Sequence, residues 1–214
     1  MKYSAVLFDL DGTLLYTLED IADALNRTLC AHGMQELALD MVRAYVGNGS
    51  RRLVERAVPS GSTEETVEGV LRDYRADYDI NCNVKTKPYD GITELLEALS
   101  ARGFKLAVVS NKPDGAVKAL AQAHFPGVFS IAVGEGSNVR RKPWPDSVLA
   151  AMEKMGVQKE EALYVGDSEV DVQTASNAGV RCVSACWGFR TKEELAEAGA
   201  TLMIDRPLEL LNHI

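Results

Sequence analysis

The chain has 214 residues, 46% of them apolar, and a formal net charge of -8. That length and apolar content suffice for a sizeable core, while the negative charge argues against nucleic acid or an anionic membrane as partner. No stretch reaches transmembrane length, the opening apolar run turns acidic too soon for a signal peptide, and the cysteines at 30, 82, 182 and 186 are scattered through apolar segments, as expected for reduced thiols in the cytoplasm.

The first predicted element is a strand, Ser4 to Phe8, apolar on both faces as in the middle of a parallel sheet. It ends in Asp9-Leu10-Asp11-Gly12-Thr13. Strand alternation puts Asp9 and Asp11 on one side of the chain with Leu10 turned away. Two carboxylates so close are costly unless they hold a cation or share a proton. Gly12 permits a tight turn, and the amides from Leu10 to Thr13 can face an anion. The plainer alternative is an acidic turn, for which Asp-Gly is common.

The character then changes to amphipathic helix. Leu18, Ile21, Ala22, Leu25 and Leu29 recur at helical spacing, with Glu19, Asp20, Asp23 and Arg27 on the other face. Short helices follow at 38–46, stopped by Gly47-Asn48-Gly49, and at 50–57. A fourth starts at Ser62-Thr63-Glu64-Glu65 and carries the stripe Val67, Val70, Leu71, Tyr74 and Tyr78. No convincing strand occurs within 16–82. The economical organisation is therefore a helical insertion at 16–82 within a domain made of 1–15 and 83–214.

After Pro88 strands and helices alternate. A helix at 91–101 precedes a strand at 104–109, which ends in Ser110-Asn111-Lys112; a helix from Pro113-Asp114 to Ala123 precedes a shorter strand at 128–133. A loop at 135–145 contains Lys142 between Arg141 and Pro143. A helix at 146–155, a strand at 162–166 ending in Asp167-Ser168-Glu169-Val170-Asp171, a helix closed by Gly179, a strand at 180–185, a helix from Thr191 and a small strand at 201–204 complete the chain. This alternation predicts an α/β fold, a Rossmann-like parallel sheet with helices on both faces and an inserted all-helical domain.

In such a sheet the strand ends at Asp9/Asp11, Ser110/Asn111 and Asp167/Asp171 point to one edge, where ligands bind. Acids with no His or Cys nearby suit a hard cation such as Mg2+. Asp171, a turn into its helix, is placed to support that site from behind. Ser110 and Asn111 offer a hydroxyl and an amide to an anion, and the prolines around Lys142 stiffen the approach of its ammonium. Taken singly, these residues also read as a solvated lysine, a common strand ending and a helix N-cap.

Together, Asp9-Leu10-Asp11-Gly12-Thr13, Ser110 with Asn111, Lys142, and Gly166-Asp167-Ser168-x-x-Asp171 resemble, in order and over essentially the whole chain, the motifs of the haloacid dehalogenase-like superfamily. The resemblance implies a Mg2+-dependent phosphomonoester hydrolase. Asp9 would be the nucleophile that forms an aspartyl-phosphate and Asp11 the acid and base. Gly12, Thr13, Ser110, Asn111 and Lys142 would bind phosphate, and Asp9, Asp11, Asp167 and Asp171 would form the metal set. An acid at Asp11 argues against dehalogenation, and the lack of any lysine between Tyr16 and Val84 argues against a Schiff-base phosphonate hydrolase. The helical insertion is similar to a type 1 cap, which in the family closes over the site and selects the leaving group. Val46-Gly47-Asn48-Gly49 resembles the cap loop of phosphoglycolate phosphatases, which makes phosphoglycolate the first candidate and Gly47, Arg43 and Arg51 the candidate substrate contacts, the arginines meeting a carboxylate. The alternatives are another sugar or nucleotide phosphatase, a sugar-phosphate mutase of the same superfamily, and a non-catalytic binding module. The expected partner is a small phosphorylated metabolite, with no nucleic acid and no membrane, for a monomer or homodimer.

Overall fold

Six parallel strands form the central sheet of the computed structural model, which describes residues 2–136 and 139–214. In chain order the elements are β1 (Ala5–Phe8), β2 (Leu15–Tyr16), α1 (Leu18–Ala31), α2 (Leu39–Tyr45), α3 (Gly49–Ala57), α4 (Glu64–Asn81), β3 (Lys87–Pro88), α5 (Ile92–Ala101) and β4 (Lys105–Pro113), followed by α6 (Asp114–His124), β5 (Ile131–Glu135), α7 (Asp146–Met155), β6 (Ala162–Gly166), α8 (Glu169–Ala178), β7 (Arg181–Ala185), α9 (Lys192–Glu197) and β8 (Met203–Ile204). The sheet order is β5-β4-β1-β6-β7-β8, and β2 pairs with β3 in a separate two-stranded sheet. The chain winds outward from β1 through β4 to β5, then returns to the other side of β1 through β6. That reversal is the topological switch point at which open α/β sheets bind ligands.

Every residue of β1 is buried because the strand has neighbours on both edges and helices over both faces. Ala5 and Leu7 join Ala107, Val109, Ala162 and Tyr164 of the flanking strands in one cluster with Val148, Ala151, Met152 and Met155 of α7 and Ala175 and Ala178 of α8. Burying such side chains contributes about 25 cal/mol for each Å2 of apolar surface removed from water. This packing holds β1, β4 and β6 in fixed register.

The chain divides into two compact units, Met1–Tyr16 with Pro88–Ile214, and Thr17–Lys87. Within the second, α1 packs on α2 and α4, and α3 on α2 and α4. Its buried carboxylate, Asp20, accepts hydrogen bonds from the amides of Val84, Lys85 and Thr86 and from the Thr86 hydroxyl at 2.8–3.0 Å. A buried charge persists only when satisfied in this way. Asp20 thereby ties the first turn of α1 to the last segment of the unit.

Several boundaries differ from expectation: the helical unit runs on to Lys87 rather than 82, β8 is confined to Met203–Ile204, and β4 and β5 differ most. β4 continues to Pro113 rather than stopping at Val109, because its register against β5 shifts: Val109 faces Val133 and Pro113 faces Glu135, so four steps on β4 oppose two on β5. β5 begins at Ile131 rather than Val128, whose amide is taken by Phe125 in a turn. Residues 137 and 138 of the expected loop at 135–145 lie outside the described residues. Among those described, no helix is long and apolar enough to cross a membrane.

Candidate active site

The sheet register places the site. Phe8 lies beside Val108 of β4 and Val165 of β6, so Asp9, the next residue, is level with Val109 and Gly166. Its amide donates to Val165 O at 2.9 Å, keeping it on the ladder for one more residue. Asp167 and Ser110 are then one step beyond, on the two adjacent strands. Gly12 adopts φ 85°, and a Cβ there would strike the Asp167 carboxyl. Only glycine permits that close approach without strain.

Asp9, Asp167 and Asp171 are buried, and one oxygen from each lies within 4.8 Å of the others. Lys142 Nζ is 2.7 Å from Asp171 Oδ1 and 2.9 Å from Asp9 Oδ1, with its side chain only 3% exposed. It donates to the Tyr164 hydroxyl at 3.0 Å, and that hydroxyl lies 3.0 Å from Asp171 Oδ1. Asp171 Oδ2 accepts from the Ser168 hydroxyl at 2.6 Å and the Ser168 amide at 3.1 Å, so both its oxygens are engaged. Asp167 accepts from the Thr13 hydroxyl at 3.0 Å and the Phe189 amide at 2.7 Å. Asp9 Oδ1 differs. Its neighbour is the Lys142 ammonium at 2.9 Å, which it shares with Asp171.

Electrostatics follow from this crowding. Burial pushes Asp9 up to about 6 against the opposing pull of Lys142, with repulsion from Asp171 and Asp11 adding to the rise. Burial, then repulsion from Asp171 and Asp9, lifts Asp167 well above the usual carboxylate range. For Lys142 burial acts downward, but Asp171 and Asp9 overcome it and hold the ammonium above its ordinary value. One ammonium among three carboxylates leaves an excess of negative charge. A hard divalent cation with oxygen ligands fits that excess.

The other predicted residues fall in different places. Asp11 lies apart from the trio, its Oδ1 2.7 Å from Lys112 Nζ. The Thr13 hydroxyl is turned to Asp167. Asn111 exchanges two hydrogen bonds with the Lys142 backbone, Nδ2 donating to Lys142 O at 3.0 Å and Oδ1 accepting from Lys142 N at 2.8 Å. It therefore fixes the lysine loop. Ser110 is buried at the end of the regular part of β4. In the helical unit Gly47 has φ 120°, Arg43 is 45% exposed with Asp40 at 3.7 Å, and Arg51 is gripped by Glu55, Glu64 and Glu68.

Several site residues escaped the sequence reading. Tyr164 sits in an apolar strand, where it passes for core. Lys112 adjoins Ser110-Asn111 but bore no sign of being buried. Gly188 packs so close to Asp167 that a Cβ would collide with it, Phe189 supplies an amide to the same carboxylate, and Trp187 Nε1 donates to Thr13 O at 3.0 Å. The Trp-Gly-Phe order in a loop was the one available signal, a glycine between two aromatics.

The sequence model of the haloacid dehalogenase-like hydrolases matches residues 6–185. The phosphoglycolate phosphatase of Aquifex aeolicus is 39% identical over 214 residues, 98% of this chain and 97% of that protein. The N-acetylmuramic acid 6-phosphate phosphatase of Pseudomonas aeruginosa is 31% identical, over 99% of this chain and 95% of that protein. A crystal structure from Lactobacillus delbrueckii subsp. bulgaricus, provisionally named a phosphoglycolate phosphatase, superposes with a TM-score of 0.95 at 36% identity, over 100% of this chain and 99% of that one. With its motifs at the switch point of a parallel sheet, the chain belongs to the haloacid dehalogenase-like hydrolase family, as an enzyme of phosphatase type.

Proposed function

We propose that the protein is a Mg2+-dependent phosphomonoester hydrolase of a small cytoplasmic metabolite, working through an aspartyl-phosphate on Asp9, with phosphoglycolate as first candidate. The observation that carries this reading is the trio of buried carboxylates, Asp9, Asp167 and Asp171, gathered around the single ammonium of Lys142. Asp9 and Asp167 would hold the ion, with Asp171 supporting them through Lys142, and the ion would supply charge neutralisation for the phosphoryl group. The Asp9 carboxylate attacks phosphorus while Asp11 gives a proton to the leaving oxygen. In the second half Asp11 takes a proton from water as the Asp9–phosphorus bond breaks. Lys142 fixes Asp9 and offsets charge, and Ser110 with the amides around Gly12 meets the phosphate oxygens.

The helical unit carries the residues proposed to read the rest of the substrate. Phosphoglycolate and N-acetylmuramic acid 6-phosphate, the compounds named for two relatives, are both phosphomonoesters that bear a carboxylate. A guanidinium suits that group. Arg51 is already surrounded by glutamates, which makes Arg43 the first of the two candidates to test. Phosphate release from a panel containing both compounds, with Mg2+ and with chelator, tests the proposal. Highest kcat/KM on a carboxylate-bearing ester, lost with chelator, is expected. Turnover unaffected by chelator would remove the metal, and a requirement for a sugar bisphosphate would mark a mutase.

A further inference from the structure

Each of the two aspartates in the first loop is paired with a buried lysine. Lys142 lies 2.9 Å from Asp9 Oδ1, and Lys112 Nζ lies 2.7 Å from Asp11 Oδ1. The Lys112 side chain is 2% exposed and Asp11 14%. Burying an ammonium costs several kcal/mol unless a charge compensates it, and an apolar side chain of similar volume would stabilise the fold at least as well. Stability alone gives no reason for a lysine here.

The backbone is shaped to bring Lys112 in. Residues 110–112 occupy the stretch where β4 slips its register against β5, an irregularity of the kind that re-aims side chains beside active sites. Across it stands Gly134, where a Cβ would run into Lys112 O and the Asp114 backbone. The Asp114 side chain accepts the Gly134 amide at 2.9 Å and closes the far end of the bulge. The result carries the Lys112 ammonium to Asp11 on the neighbouring strand's loop.

We infer that Lys112 is a positioning residue for Asp11 in the hydrolysis of the aspartyl-phosphate. The inference rests on the proposed function and adds a part to it. In that step the water oxygen bonds to phosphorus, the bond from phosphorus to the Asp9 oxygen breaks with its electron pair returning to the Asp9 carboxylate, and the water proton passes to the Asp11 carboxylate. The ion pair anchors Asp11 by Oδ1 and so fixes where its carboxyl stands in the loop. The contact that Lys112 makes here is with Asp11 Oδ1. It acts on the second half-reaction through Asp11.

The test is pre-steady-state hydrolysis of p-nitrophenyl phosphate with Mg2+. Its leaving group departs without protonation, so kcat/KM reports phosphorylation of Asp9 and kcat reports the hydrolysis that follows. K112M is expected to give a burst approaching one nitrophenol per enzyme, then a steady rate about ten- to a hundredfold below wild type, with kcat/KM within about threefold. A parallel fall in kcat and kcat/KM without a burst would show a structural or phosphate-binding lysine and overturn the inference, as would unchanged kinetics. If circular dichroism shows K112M unfolded, Lys112→Gln, which keeps a donor and removes the charge, carries the same test. Failure of the underlying reading looks different: wild type itself would not turn over, or Asp9→Asn would.

Discussion

The charged groups of the sheet edge and those of the helical unit are built on opposite terms. At the sheet edge Asp9, Asp167, Asp171 and Lys142 are buried, come from positions far apart in sequence, and set three carboxylates against one ammonium. In the helical unit the ion pairs lie towards solvent, some local, as in Arg52 with Glu55, and others between helices, as in Arg27 with Asp77, while the buried carboxylate Asp20 has a donor from each of Val84, Lys85 and Thr86. Incomplete satisfaction of buried charge costs stability and marks a place prepared for something else to bind. Complete satisfaction marks structure.

Substitutions should therefore separate the two regions, the largest effect falling on the incomplete one. Asp9→Asn is expected to lower turnover by roughly 10^4-fold or more while raising stability, a combination that no residue of the helical unit should give. The sign follows from Asp9 being pushed up to about 6. An acid raised on folding prefers its proton in the folded state, so the metal-free wild type carries no penalty below the ordinary carboxylate range and loses stability as pH rises towards about 6. That loss is at most about 3 kcal/mol. Melting curves in chelator between pH 4 and 8 should show Asp9→Asn overtaking wild type across that window. Parallel curves would refute the account of the site.

Lys142→Met comes next. Removing the ammonium leaves Asp171 and Asp9 buried without their counter-charge, with an expected loss of about 3 kcal/mol in urea unfolding and at least about a hundredfold in kcat/KM. Asp20→Ala provides the contrast. It removes the acceptor for four donors, so about 2 kcal/mol of stability should go while kcat/KM per folded molecule stays within about threefold. A large catalytic loss in Asp20→Ala at full folding would erase the distinction between the regions.

The smallest effects are expected for the exposed arginines. Arg51→Ala should change stability by less than about 1 kcal/mol despite its several glutamates, since exposed pairs are screened by water. Arg43→Ala should raise KM for phosphoglycolate about tenfold, and Arg51→Ala by less. Equal KM shifts in steady-state assays, or none, would take the carboxylate-reading role from Arg43.

Much of the sheet edge was legible because its causes are local. An apolar run such as Ala5–Phe8 has to be a buried strand, and a strand followed by a helix has to run parallel to its neighbours, so polar residues just past Phe8, Val109 and Gly166 converge whatever the details. The helical unit announced itself through periodicity in α1 and α4 in the same way. Less was legible in the substrate contacts, because a guanidinium flanking a loop looks alike in sequence whether it awaits a ligand or, like Arg51, already holds three glutamates.

What the sequence determined by itself was thus the architecture, the acids at the strand ends and the oxygen-rich chemistry suited to a hard cation. Tertiary structure alone decided how the charges are shared out. Lys112 reaches Asp11 across 101 positions, Asn111 holds the Lys142 backbone across 31, and the Tyr164 hydroxyl bonds both partners of the Lys142–Asp171 ion pair. Those pairings depend on a two-residue register slip in β4 and on close approaches at Gly12, Gly134 and Gly188. A shift of one residue redirects a side chain to the opposite face, and no local pattern encodes which charge it then meets.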